Sequence, residues 1–284
     1  MEIKTIVTIL FLSMLGLSLG ANASTISSDE PWVDATEGIT GGSTAITWFP
    51  ANQNSSSSST LDHAQTIIEV YTATWCETCI PAEEALNASI TDHAVKVVKY
   101  HRHLFETEDP FGNNNTEGRW LSRYGPSAVQ ADFNARTPPT VIFGGERMHI
   151  GSHPTAGVSL EEEYSISLNS IMRPPISNSS EFTFTWEDGT FEWSWNWEED
   201  TTACRSNCDS ISTELYLMIV EDTAFFPEGS NGEEYYHRIL RDVIPLGSSS
   251  IDYIPPQAWD EDDVSILIVL SLIHISEPTR LRTI

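Results

Sequence analysis

The sequence predicts a mixed α/β domain followed by an all-β domain, in a chain of 284 residues. That length corresponds to about two domains of ~100–200 residues each. A strand–helix–strand pattern between residues 66 and 100 indicates the first domain. Alternating aromatic and polar residues from Phe182 to Trp197 indicate the second. Residues 173–180, which begin with Arg-Pro-Pro, form a linker between the two patterns.

The composition excludes several classes of protein. Hydrophobic residues make up 40% of the chain, which is enough for buried cores and excludes a wholly disordered protein. The formal net charge of −27 disfavours binding to nucleic acids or to anionic membranes. The 4 cysteines are too few for a small domain built on a disulfide scaffold.

Residues 1–23 have the pattern of a secretory signal peptide. Lys4 supplies positive charge, residues 5–20 form an apolar run, and Ala-Asn-Ala at positions 21–23 is an A-x-A cleavage site. An uncleaved N-terminal anchor is the alternative, although the apolar run is short for a membrane span. We therefore expect a secreted or cell-envelope protein, with no membrane span in the mature chain as given.

Two further segments are expected to lie outside the folded domains. Residues 24–63 are polar and rich in serine, which predicts a flexible leader, with room for a short strand at residues 45–49. The segment LSLIHISEPTR, which starts at Leu270, is similar to the translation of a transposase adapter used in sequencing libraries. We therefore expect residues 270–284 to be an artefact, the β-domain to be truncated inside a strand, and any C-terminal anchor to be lost. The alternative is a genuine tail.

The first domain is predicted over residues 64–172. Its strands are expected at residues 66–74, 95–100, 140–143 and 147–150, and its helices at residues 79–90, 116–124 and 160–172.

The second domain, residues 181–269, is expected to be a β-sandwich of immunoglobulin-like type. Asp-Gly at positions 188–189 signals a type I′ turn, which places Trp186 opposite Phe191 and Phe184 opposite Trp193. The aromatic stripe is either core packing or an exposed surface for a sugar or a peptide. Further strands are expected at residues 215–220, 236–243 and 264–269.

The chemistry is predicted at Trp75-Cys76-Glu77-Thr78-Cys79, where a strand ends and a helix begins. Two cysteines at this spacing can form a disulfide across the first helical turn. The unpaired N–H groups and the dipole at a helix N-terminus stabilise a thiolate on the first cysteine and lower its pKa. The second, less exposed cysteine can then attack a mixed disulfide and release the product. The pattern therefore predicts disulfide exchange.

At these residues the sequence resembles the thioredoxin superfamily. The match consists of the strand, the W-C-x-x-C motif, the helix after it and the later segment Thr137-Pro138-Pro139-Thr140, within residues 64–172. The resemblance implies a thioredoxin-like α/β fold, in which helices flank a central mixed sheet. Two further segments, Asp109-Pro110-Phe111 and residues 231–245, resemble secreted or envelope-associated proteins that join such a head to a β-rich domain.

The resemblance also assigns roles to individual residues. It implies that Cys76 is the nucleophile and Cys79 the resolving thiol, and that the cis-proline of the family corresponds to Pro139. The residues it places in the substrate groove are Trp75, Pro138, Pro139 and Thr140.

Three departures from the family pattern bear on this chemistry. Glu77 places a negative charge beside the thiolate and opposes its ionisation. The buried acid of the family falls at Val70, whereas Glu69 lies one residue earlier and would point to the opposite face of a strand. Glu69 is the candidate proton shuttle if a bulge restores its direction. Pro138 has no N–H to offer to a bound peptide.

The leading hypothesis is an exported thiol-disulfide oxidoreductase-like enzyme. It would exchange disulfides with cysteine-containing extracytoplasmic proteins and with an unknown redox partner, and the dithiol itself would be the cofactor. The rival hypothesis is a non-catalytic surface or adhesion protein whose thioredoxin-like head is vestigial and whose disulfide is inert. A sugar-binding module that uses the aromatic stripe is a third alternative.

The remaining cysteines and histidines have simpler interpretations. Cys204 and Cys208 lie in a polar loop, and we expect a structural disulfide between them. A second redox pair or a zinc site that uses all four cysteines are the alternatives. His101 and His103, with Asp109 nearby, would form a metal site in a further alternative, but surface histidines are expected and no metal is predicted.

Overall fold

The computed structural model describes residues 30–35, 42–106, 108–171, 176–200, 211–247, 250–252, 258 and 260–274. The predicted signal peptide, the pair Cys204 and Cys208, and residues 275–284 lie outside the described residues.

The described residues form strands and short helices, numbered here in chain order. The strands are β1 (Val33–Asp34), β2 (Ser43–Pro50), β3 (Ser55–Thr60), β4 (Gln65–Thr72), β5 (Val95–His101), β6 (Thr140–Phe143), β7 (Arg147–Ile150), β8 (Glu181–Glu187), β9 (Thr190–Asn196), β10 (Ile211–Phe225), β11 (Tyr235–Pro245), β12 (Ser250–Asp252) and β13 (Val264–His274). The α-helices are α1 (Cys79–Ser89), α2 (Asn114–Arg123), α3 (Gly125–Gln130) and α4 (Leu160–Asn169).

The main sheet closes on itself around strand β4. On one side β4 pairs in parallel with β5, and on the other it pairs with β2 near its start and with β6 further along. The sheet continues from β2 through β13, β10 and β11, and it returns to β5 where Ile239 pairs with Lys99. Six strands in the order β4-β2-β13-β10-β11-β5 therefore form a closed barrel, and β6, β7 and β1 extend from β4.

The predicted fold class, a thioredoxin-like α/β domain followed by an immunoglobulin-like sandwich, is wrong. Strands from both predicted parts share one sheet, and β11 covers the edge that β5 would otherwise leave open. Strands β10 and β13 bury residues on both faces, as Leu217, Met218, Ile268 and Val269 show. Continuous apolar runs of this kind belong to strands covered on both sides, whereas a two-layer sandwich leaves one face of each strand exposed.

Two different layers cover the outside of the barrel. Helices α1 and α4 pack on β4, β5 and β6, and the four-stranded sheet β12-β9-β8-β3 packs on β2, β13 and β10. The buried side chains on the helix side include Ile68, Val70, Leu86, Val141, Phe143 and Tyr164. Those on the sheet side include Phe49, Phe182, Phe184, Trp186, Phe191 and Ile268.

The hairpin predicted at positions 188–189 is confirmed. Trp186 pairs with Phe191 and Phe184 pairs with Trp193, in the expected register. The two turn residues have φ values of 47° and 84°, as a type I′ turn requires. Phe184 and Phe191 are buried, and Trp193 packs partly buried against the same cluster, so these aromatic residues join the sheet to the barrel.

Part of the segment predicted as a flexible leader is ordered into strands. Residues 43–50 form barrel strand β2, and the serine run of β3 pairs along the edge of β8. Backbone pairing holds β3, since all six of its residues are exposed or half-buried. A serine-rich composition alone does not predict such a strand. Leu270–His274 belong to β13 and pair with Ile211–Leu215.

Candidate functional site

A disulfide joins Cys76 and Cys79 at the end of β4, with 5.3 Å between their Cα atoms. The Cys76 N–H donates to the Ala73 carbonyl oxygen and the Cys79 N–H to that of Cys76, each at 3.1 Å. These two bonds turn the chain from the strand into α1, whose first residue is Cys79. Cys76 is 3% exposed and Cys79 is 0% exposed. Both cysteines are therefore buried, and Cys76 is slightly less enclosed than Cys79.

The N-terminus of α1 gives this disulfide a polar setting. The Thr78 hydroxyl oxygen lies 3.5 Å from the Cys76 sulfur, where it could donate a hydrogen bond to a thiolate. The Glu77 side chain is exposed, so water screens its charge. Thr78 was missed by sequence reasoning, although a threonine at the N-cap of a helix is a recognisable signal.

Trp75 packs against the disulfide and is held from two sides. Its ring belongs to the same buried cluster as Ala73, Cys76 and Cys79. The Trp75 Nε1–H donates to the Glu106 carboxylate at 2.7 Å, and the Arg102 guanidinium lies 5.5 Å from the ring centroid. The loop after β5 therefore positions the residue that precedes the reactive cysteine.

The predicted groove residues Pro138, Pro139 and Thr140 lie where β6 begins, at the same end of the sheet as the disulfide. Thr140 pairs with Tyr71 near the end of β4, so the Pro138–Pro139 segment lies beside the strand end that leads to the disulfide. The Pro138–Pro139 peptide bond is cis. The Pro139 carbonyl oxygen accepts a hydrogen bond from the Gly151 N–H at 2.8 Å.

Glu69 lies on the other face of β4, inside the barrel. Residues Ile67 and Tyr71 share its face, whereas α1 and α4 pack on the opposite face. The Glu69 carboxylate accepts hydrogen bonds from Tyr100 at 2.6 Å and Arg119 at 2.7 Å. Burial raises the pKa of Glu69, but Arg119 and the tyrosine hydroxyls outweigh it, so the pKa lies below its ordinary value. The structure does not bring Glu69 together with the cysteines.

Glu83 is a carboxylate on the disulfide side of the sheet. It follows Cys79 by four residues on α1, so both side chains lie on one face of the helix. The Glu83 carboxylate accepts a hydrogen bond from the Thr72 hydroxyl at 3.0 Å and forms an ion pair with Lys99. The four-residue spacing was readable in the sequence, but the pairing with β5 was not.

The backbone of Thr74, two residues before Cys76, is held on both sides. Its N–H donates to Asp109 at 2.9 Å, and His101 Nδ1 lies 2.8 Å from the same carboxylate oxygen. The Thr74 carbonyl oxygen accepts from the N–H groups of Ser230 and Asn231 at 3.0 and 3.1 Å. The two segments that resembled envelope-associated proteins, residues 109–111 and 231–245, thus meet at this one residue.

His101 is therefore part of the support of this loop. Within the part of the chain that the structure describes, no group of three or more His, Cys, Asp or Glu is placed to hold a metal ion. No described helix is long and apolar enough to cross a membrane.

Comparisons with known proteins leave the family open. No family model matches the chain, and no curated protein matches it in sequence. The Agrobacterium tumefaciens protein AGR_C_4864 has a crystal structure that is similar at 14% identity and a TM-score of 0.42, over 77% of this chain and 97% of that one. HBP35 of Porphyromonas gingivalis is similar at 13% identity and a TM-score of 0.36, over 73% of this chain and 63% of that one. Neither likeness is close enough to carry an argument about function.

Proposed function

We propose that the protein is an exported thiol-disulfide oxidoreductase that acts on cysteine-containing extracytoplasmic proteins. The observation that carries this proposal is the Cys76–Cys79 disulfide at the junction of β4 and α1, with Cys76 the less buried of the two cysteines. A helix N-terminus stabilises a thiolate, and a thiolate is the species that exchanges with disulfides. The signal-peptide pattern at residues 1–23 supports export, where disulfides persist.

The reaction has two exchange steps. In the reduced protein the Cys76 thiolate attacks a substrate disulfide, forms a mixed disulfide and expels one substrate thiolate, which takes up a proton from water. Cys79 then loses its proton, attacks the Cys76 sulfur and expels the second substrate thiolate. Two electrons pass from the protein to the substrate, and the Cys76–Cys79 disulfide is left. The reverse sequence oxidises a substrate dithiol.

Three neighbouring groups support these steps. The Thr78 hydroxyl is placed to donate to the Cys76 thiolate. Glu83, one helical turn after Cys79, is the carboxylate that we assign to accept the proton of the resolving thiol. Lys99 forms an ion pair with Glu83 and holds its carboxylate between α1 and β5. A second redox protein of unknown identity must return the cysteine pair to its starting state.

The test compares the wild type with Cys76→Ser in reduction of a peptide disulfide, with dithiothreitol as the electron source. We expect the wild type to exchange at least 100-fold faster than the variant, because the serine hydroxyl is not a nucleophile at neutral pH. Cys204→Ser/Cys208→Ser is the matched control and should retain the wild-type rate. Equal rates for the wild type and Cys76→Ser would favour the rival hypothesis of an inert disulfide in a surface binding protein.

A further inference from the structure

Phe105 is an unusual residue beside this site. Its side chain is 99% exposed, and its backbone φ is 61°. Aromatic side chains are mostly buried, and residues other than glycine rarely adopt positive φ. The chain thus keeps a large apolar side chain in water at a backbone conformation that costs free energy.

The loop that carries Phe105 is fixed by buried groups. The N–H groups of His103 and Leu104 each donate to the Glu117 carboxylate at 2.6 Å. Glu117 is fully buried and also forms an ion pair with Arg136, which donates to the Leu104 carbonyl oxygen. The two residues before Phe105 therefore have defined positions, so Phe105 is displayed at a fixed place on the surface.

The same loop is bonded to the disulfide site. Glu106, the residue after Phe105, accepts the hydrogen bond from the Trp75 indole N–H. Arg102, from the start of the loop, lies over the Trp75 ring. Trp75 packs on the disulfide. The hydrogen bond between Glu106 and Trp75 therefore ties the C-terminal side of Phe105 to the residue next to Cys76.

We propose that Phe105 is the docking residue for the polypeptide substrate, where it packs against an apolar side chain next to the substrate cysteine. This inference rests on the proposed function and names its substrate class: polypeptides whose disulfides are flanked by apolar residues, as in incompletely folded proteins. A small disulfide such as oxidised glutathione has no apolar side chain next to its cysteine that could pack on Phe105. The exposed Phe105 surface would be buried only in the encounter complex.

The test measures KM and kcat of the reduced protein for two probes. One probe is a peptide disulfide with leucine on both sides of each cysteine, and the other is oxidised glutathione. We expect Phe105→Ala to raise KM for the peptide about tenfold, the loss expected from one aromatic contact, and to leave exchange with glutathione unchanged. Phe105→Leu should recover most of the affinity for the peptide.

The control is Trp48→Ala, which truncates another exposed aromatic residue. Trp48 is 51% exposed, and the Lys96 ammonium lies over its ring. Lys96 pairs with Ile67 near the start of β4, whereas the disulfide follows the other end of that strand. This variant should match the wild type with both probes.

Each other outcome overturns the proposal in a recognisable way. An unchanged KM for the peptide in Phe105→Ala, with normal exchange in the wild type, removes the docking role and leaves the proposed function standing. Equal losses with the peptide and with glutathione show that Phe105 acts through loop structure rather than through docking. Absence of exchange with both probes in the wild type removes the proposed function and the docking role together.

Discussion

The two layers that cover the barrel differ in what they can do chemically. On one side, α1 places its N-terminus at the end of β4, where the Cys76 sulfur lies 3.5 Å from the Thr78 hydroxyl oxygen. On the other side, the sheet that contains β8 and β9 packs stacked aromatic rings on the barrel, with Phe49 and Phe184 centroids 4.6 Å apart. A helix has a positive end that can stabilise a thiolate, whereas strand dipoles largely cancel. Chemistry is therefore expected on the helix side and structural support on the sheet side.

The largest effect is expected from a truncation on the sheet side. Phe191 is fully buried and stacks with Phe184 and Phe49. Phe191→Ala should lower the free energy of unfolding by about 3–5 kcal/mol, because it leaves a cavity between sheet and barrel. The folded fraction should exchange disulfides at the wild-type rate per molecule. Urea unfolding followed by tryptophan fluorescence measures the free energy of unfolding. The control is Glu192→Ala, which truncates an exposed neighbour of Phe191.

A loss of disulfide exchange per folded molecule in Phe191→Ala would break the separation between the two sides. It would show that the aromatic sheet contributes to the reactive site as well as to stability.

The barrel interior should be almost as sensitive. Arg119→Met removes the cation paired with buried Glu69 and should cost about 3 kcal/mol at pH 7. The pKa of Glu69 is lower in the folded wild type than in the unfolded chain. The ion pair therefore adds its full amount to the free energy of unfolding above the unfolded pKa of about 4.3. This stabilisation is lost as the pH falls through the pKa that Glu69 has in the folded state. The difference in the free energy of unfolding between wild type and Arg119→Met should therefore shrink at low pH. At pH 7, the double variant Glu69→Gln/Arg119→Met should recover part of the stability that Arg119→Met loses. A difference independent of pH would contradict the ionised pair.

His149 gives the helix side its own pH dependence. It is buried, with its Nε2 2.7 Å from the Ser167 hydroxyl, and burial lowers its pKa to about 4 despite the Glu163 carboxylate 3.9 Å away. Folding favours the neutral form of His149, so keeping the imidazole neutral stabilises the folded state. This stabilisation is complete above the unfolded pKa of 6.5 and is lost as the pH falls towards the folded pKa of about 4. It should amount to at most about 3 kcal/mol. Urea titrations across this range should show a shallower dependence in His149→Gln, and parallel curves would contradict the assignment.

The smallest effect is expected at Thr78. Thr78→Val keeps the shape but removes the hydroxyl beside the Cys76 sulfur, so the thiolate loses a donor and exchange should slow by a few-fold. The decrease in the exchange rate should be greatest at low pH, because the smallest fraction of Cys76 is thiolate there. Stopped-flow measurements with oxidised glutathione across pH test this, with Thr91→Val beyond the other end of α1 as the control. An unchanged rate would remove Thr78 from the site.

The local elements were predictable because their signals are short in range. Strands β6 and β7 lie at the predicted residues, and α1 begins at Cys79 as predicted. The Asp-Gly turn at positions 188–189 sets the register of its hairpin through two positive φ angles. In each case neighbouring residues carry the information.

The barrel could not be predicted, because its closure depends on distant pairings. Nothing local indicates that Ile239 pairs with Lys99, and this pairing is what joins β11 to β5. The site was predictable only in part, for the same reason. The spacing identified Cys76 and Cys79, but the partner of Glu83 and the anchor of the Phe105 loop come from other elements.

The most direct test of the account is to trap the mixed disulfide on Cys76. Cys79→Ala lacks the resolving thiol, so its reaction with an excess of the leucine-flanked peptide disulfide should stop at the first step. We expect intact mass spectrometry to show one added peptide and proteolytic mapping to place it on Cys76. An unmodified Cys76 under conditions that modify a free cysteine in a denatured sample would contradict the proposed reaction, because Cys76 would then not be a nucleophile in the folded protein.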